Sequence, residues 1–263
     1  MPAPSDPWDR LRARVRQLPG LRQPLLDGCV VCRGPAGAGY ARCVQCDRHA
    51  ALGGRLLADT VVPVSYAVRG SALTGCLWRY KSEMRGAVAA GTTLVSLLLV
   101  FLRDHGGCVS RAGVPDRLAV VPSGYGRPGA HPLARLVAPY LRLPPAALTL
   151  RPGAQGRDLD TGRFTADAAV RGARILLLDD TWVSGASVQS ASASLKLAGA
   201  ASVSAVVLGR YVNAADPAVA AFAARVGNAP YDPAKCAICA RNYNYSPHLG
   251  NSAEWVADRK RLL

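Results

Sequence analysis

Two stretches of this chain carry chemistry in their residue types and spacing. The first is Ile175–Ser187, which reads I-L-L-L-D-D-T-W-V-S-G-A-S. Asp179 and Asp180 follow the apolar run Ile175–Leu178, and Val183, Ser184, Gly185, Ala186 and Ser187 come shortly after. Adjacent carboxylates accept hydrogen bonds from two neighbouring sugar hydroxyls. Backbone N–H groups of a loop opening a helix hold a phosphate dianion, here with help from the Ser184 and Ser187 hydroxyls. Gly185 lets the backbone close on such a group with no Cβ in the way. The combined chemistry is recognition of a sugar phosphate. The structural alternative is a buried strand whose acids cap a helix or pair with arginines.

The second stretch is Cys29-x-x-Cys32, ten residues, then Cys43-x-x-Cys46. Each pair offers two thiolates from one tight turn, and two such turns complete a tetrahedral Zn²⁺ site. Four thiolates fill the site, so it holds structure and does no catalysis; His49, just beyond, reads as a bystander. A third pair, Cys236-x-x-Cys239, is half a metal site. Cys76 and Cys108 complete it only if the fold brings them together, and the sequence reading is free thiols or an undefined contact.

The elements that position these residues follow from hydrophobic pattern. Ile175–Leu178, apolar without alternation, predicts a parallel strand covered on both faces, with the acids at its carboxyl end. A helix over Val188–Leu197 and a strand over Val203–Leu208 make a β-loop-α-β unit. Upstream, the pattern predicts strands at Val61–Val68, Leu118–Val121 and Leu148–Leu150, and helices at Trp8–Leu18 and Ser71–Tyr80. Gly86–Leu102 is uncharged and at the lower limit for a bilayer span of ~30 Å; it reads as a core helix over the sheet. Pro217–Val226 predicts one more short helix. The division is a basic N-terminal helix (1–25), a zinc module (26–58), an α/β domain (59–212) and a C-terminal extension (213–263).

The strand, the two acids and the S-G-x-S loop resemble the phosphoribosyl-pyrophosphate signature of type I phosphoribosyltransferases. With the N-terminal cysteines, the chain resembles the ComF family, in which a small zinc module joins a phosphoribosyltransferase domain. The resemblance implies a parallel sheet flanked by helices, phosphoribosyl pyrophosphate as ligand and Mg²⁺ carried with it. It makes Lys81, after Tyr80, a contact for the pyrophosphate or substrate side; taken bare, Lys81 is a helix-end lysine favoured by the dipole. Arg127, in the Gly-rich run after Leu118–Val121, would give a charge-assisted bond. Arg151–Arg163 resembles a shortened form of the family's mobile loop, with Arg157 and Arg163 as cationic candidates, or else is an ordinary surface loop. Val183 stands where purine-salvage enzymes of this fold carry an Asp, which argues against purine salvage. Trp182 reads as core at the sheet's edge, with a wall of the pocket as the alternative.

The net charge is +15 and aromatic content only 6%. That balance favours polyanions, or reflects arginines spread over a solvated surface. The resemblance implies competence and DNA uptake, with single-stranded DNA and a DNA-uptake helicase as partners. Met1–Gly20 has no apolar stretch of the signal-peptide kind, so the expected location is cytoplasmic and cysteines serve as thiols and metal ligands. Two functions stay open: phosphoribosyl transfer to an undefined nucleophile, or a non-catalytic DNA-handling role.

Overall fold

The run Ile175–Leu178 is covered on both sides. Ile175 and Leu177 enter one core while Leu176 and Leu178 enter another, which is why it shows no polar alternation. The computed structural model describes residues 6–123, 131–154 and 156–239. In chain order, α1 (Pro7–Arg16) leads to the cysteine knuckles and α2 (Val44–Gly53). Then come β1 (Thr60–Val68), α3 (Ala72–Arg79), α4 (Ala87–Val109), β2 (Arg117–Val120) and α5 (Pro132–Val137). A hairpin of β3 (Leu148–Leu150) and β4 (Phe164–Ala166) precedes β5 (Arg174–Trp182), α6 (Ala186–Leu197), β6 (Ser202–Val212) and α7 (Ala220–Gly227).

Strands β1, β6, β5 and β2 lie side by side in that order, every pair parallel. The architecture is therefore an α/β parallel sheet flanked by helices. One face, with Val62, Leu176, Leu178, Val206 and Leu208, is covered by α1, α3, α4 and α5. The other, with Val61, Ile175, Leu177, Ala205 and Val207, meets α6, the hairpin and the first cysteine cluster. The open edge at β2 is blunted by the segment beside it: Leu118 N–H donates to Pro144 O at 3.0 Å, and Ala146 N–H donates to Leu118 O at 2.7 Å.

Three elements run longer than their patterns predict. Helix α4 passes the expected stop at Leu102, because Arg103 and Asp104 are turned toward α1 and not toward a helix end. Asp104 receives the Arg12 guanidinium at 2.6 Å, and Arg103 stacks 4.6 Å over the Trp8 ring. Among the described residues this helix alone is long and apolar enough to cross a membrane, and most of it is buried against the sheet. Strand β6 continues from Leu208 to Val212 along β1. Strand β5 runs on through both aspartates to Trp182, with Asp179 opposite Val207 and Thr181 opposite Gly209.

Candidate functional site

After β2 the chain crosses to the α4 layer, where α5 packs, and after β5 it crosses to the opposite layer through α6. Neighbouring parallel strands whose connections leave to opposite faces open a crevice at their carboxyl ends, the position at which such sheets place ligands. The two aspartates, the 183–187 loop and Pro122–Ser123 all converge there.

Because β5 includes the acids, strand alternation separates them, which corrects the expectation of two carboxylates side by side beyond the strand. Asp180 turns to the α3 layer. Its carboxylate, only 3% exposed, accepts from the Tyr80 hydroxyl and pairs with the Lys81 ammonium. Asp179, on the other side, is half-buried and accepts the Asp180 N–H at 2.8 Å. Burial first, then the negative charge of Asp180, pushes the Asp179 pKa up to about 8 against the pull of Lys81. One carboxylate is thus already neutralised by a cation; the other has no cation in ion-pair contact among the described residues. Two residues beyond Asp180, Trp182 packs into the α6-side core, so the strand turns over between them.

The loop begins at Val183, which is exposed, and ends at Gly185, the N-cap of α6 with φ +87°. A Cβ at Gly185 would also collide with the Trp182 indole. Gly185 is therefore required by its backbone and by the ring beneath it. The Ser184 hydroxyl donates to Arg157 O at 3.1 Å and accepts the Ala186 N–H at 3.3 Å. Ser187 is half-buried in the first turn, where a helix carries amides with no intrahelical acceptor.

The Arg151–Arg163 segment is the connection of the β3–β4 hairpin, and it lies along α6. Asp160 N–H donates to Ser190 Oγ at 2.9 Å, and Ser194 Oγ donates to Thr161 O at 3.2 Å. Arg157 is thereby tethered beside the ligand loop with its side chain exposed. Arg163 is 4% exposed and donates to Asp158 O at 2.6 Å, which holds the segment's shape. Arg127 lies outside the described residues. Lys81 stands just past the end of α3, after the C-cap Tyr80, and its ammonium pairs with Asp180.

Tyr80 was not expected in the site; its only sequence signal is its place before Lys81. Beside these two residues opens a cleft of about 1320 Å³ along β2, α5 and the hairpin, lined in part by Lys81, Ser123, His131, Arg135 and Arg151.

No family model, curated protein or solved structure matches this chain. The chemistry therefore rests on the residues themselves.

Cys29, Cys32, Cys43 and Cys46 converge as predicted, their sulfurs all within 4.8 Å of one another. Cys32 and Cys43 Sγ are 3.7 Å apart. A tetrahedral Zn²⁺ with bonds of about 2.3 Å requires sulfur separations of about 3.8 Å, so the residues fit the metal. The first knuckle closes through Cys29 N–H to Gly34 O at 2.8 Å, with Arg33 in the left-handed region at φ +59°. The second is the start of α2, with Cys43 as N-cap and Cys46 in the first turn. His49 is buried outside the cluster.

The fold supplies Cys236 and Cys239 with the neighbours that the sequence left open. With His105 and Cys108 of α4 they form a second cluster, whose donor atoms also lie within 4.8 Å of one another. Cys76 takes no part in it. His105 was missed, although H-x-x-C places two donors on one helix face.

Proposed function

We propose that this chain binds phosphoribosyl pyrophosphate with Mg²⁺ at the β5–α6 junction, as a ComF-like protein on a type I phosphoribosyltransferase-like fold. The observation that carries the reading is a parallel strand bearing two carboxylates that feeds, at a switch point of the sheet, straight into a glycine-capped helix start. In this reading the 5′-phosphate sits on Val183–Ser187. Asp179 accepts from the ribose hydroxyls, and the Mg²⁺ is held largely by pyrophosphate oxygens and water. Lys81 and Arg157 supply the nearby positive charge. The cleft beside Tyr80 would admit a nucleophile, and phosphoribosyl transfer is the reaction the arrangement would serve by positioning and electrostatics.

Calorimetric titration of Mg²⁺–phosphoribosyl pyrophosphate tests this. The wild type is expected to bind and Asp179→Ala/Asp180→Ala to lose about 100-fold, or ~2.7 kcal/mol. Ser187→Glu, which puts a carboxylate where the phosphate would lie, should lose as much while keeping its melting temperature. Equal heats from wild type and both variants would sink the reading.

The exposed face of α1 favours a second reading, electrostatic binding of single-stranded DNA. Val15 is fully buried, and Trp8, Leu11 and Leu18 pack on the core. Arg10, Arg14 and Arg16 are left exposed on a fixed helix. Single-stranded binding loses about 0.7 in salt slope per phosphate contact removed. Arg10→Gln/Arg14→Gln/Arg16→Gln should therefore flatten the slope by about 2. An unchanged slope would show that this face touches no nucleic acid.

A further inference from the structure

The structure brings His105, Cys108, Cys236 and Cys239 together, and from this we infer a second tetrahedral Zn²⁺ site that clamps the segment carrying Cys236 and Cys239 onto α4. His105 and Cys108 lie three residues apart on α4, so their side chains leave the same face. The partner turn is Cys236–Cys239, whose sulfurs are 3.4 Å apart. Three N–H groups, of Cys236, Ile238 and Cys239, point at these two sulfurs at 3.3–3.4 Å. Amides aimed at sulfur support thiolates.

His105 is oriented for ligation. Its Nδ1 faces Cys239 Sγ at 3.6 Å, while Nε2 lies 2.9 Å from Pro233 O. A ring whose far nitrogen donates to a carbonyl presents the other as the ligand. Three thiolates and one imidazole make a full set of four protein ligands and match structural zinc, whereas catalytic zinc keeps one position open. His105, Cys108 and Cys236 are 4%, 3% and 2% exposed, and Cys239 is half-buried.

The clamp joins residues 134 apart in sequence, His105 and Cys239. It also lies next to the first cluster. Arg33, the residue after Cys32, reaches across to donate to Ala237 O, inside the second turn, at 2.8 Å. The two knuckles thus share one guanidinium as a strut.

Metal analysis of the full chain tests the proposal. The wild type is expected to hold two equivalents of zinc, with X-ray absorption showing seven sulfurs and one nitrogen over the two ions. Cys236→Ser/Cys239→Ser should retain one equivalent in an all-sulfur shell, and the Cys76→Ser control should retain two. His105→Cys keeps four ligands, so it should fold, retain two equivalents and lose the nitrogen from the shell. One equivalent in the wild type, a purely sulfur shell there, iron in place of the second zinc, or two equivalents in the double Ser variant would overturn it.

Discussion

Loss of the metal that Cys29, Cys32, Cys43 and Cys46 are arranged to hold is expected to destabilise the whole α/β domain, not only the knuckles. The cluster is built into the core: Cys29, Cys32 and Cys46 are buried with Val61, Ile175, Val203 and Val207 on the α6 side of the sheet. The knuckle backbone is also an anchor for buried polar groups. The Tyr66 hydroxyl, fully buried, donates to Arg33 O at 2.5 Å. Arg210 is 9% exposed and lies against Gly34, where a Cβ would meet its guanidinium. Structural zinc contributes about 10–16 kcal/mol in zinc-finger peptides, against a net stability of about 5–15 kcal/mol for a typical domain. Cys29→Ser, or exhaustive chelation, should therefore lower the melting temperature by more than about 10 °C, since about 1 kcal/mol shifts a domain of this size by roughly 2–4 °C. A calorimetric transition unchanged after metal loss would show that the thiols are not structural ligands.

The two neighbouring aspartates are expected to respond in opposite directions to the same substitution. Asp180→Asn removes the carboxylate that pairs with the half-buried Lys81 and accepts from Tyr80, which costs about 1–3 kcal/mol. Asp179→Asn keeps an oxygen for the Asp180 N–H and removes a charge that burial disfavours. It should stabilise the protein by about 1–3 kcal/mol at pH 7. The sign with pH follows from the raised value. Above the ordinary carboxylate range and up to about 8, folded Asp179 holds a proton that the unfolded chain has lost. Wild-type stability from this group therefore falls as pH rises through that window. Denaturant titrations from pH 5 to 9 should show the fall in wild type and its absence in Asp179→Asn. A destabilised Asp179→Asn would mean that the carboxylate is satisfied as an anion. In the proposed function the same strain aids binding: a ligand that brings hydroxyl donors and Mg²⁺ stabilises the ionised form and expels the proton.

Local spacing made part of this legible. Cys29, Cys32, Cys43 and Cys46 lie within one short stretch, so two tight turns suffice to assemble them. The apolar run Ile175–Leu178 reads as a strand covered on both sides, and the loop with Gly185 before a small-residue helix announced α6. Trp182 as core followed from the same pattern. Its partnership with Gly185 did not, because the contact depends on how the strand turns over after Asp180.

The rest was decided by residues far apart in sequence. Asp180 meets Tyr80 and Lys81 a hundred positions away, and no periodicity within β5 reveals that its charge is already matched. Strand pairing with β6 carried β5 through the acids and so set the two carboxylates on opposite faces. The length of α4 depended on α1, whose Arg12 and Trp8 absorb the charges that look like a helix boundary. That extension, about two turns from Leu102 to Val109, is what delivers His105 and Cys108 to Cys236 and Cys239. A ligand set split between a helix and a distant turn has no local signature, because the chain entropy opposing its assembly is overcome only when the whole core forms.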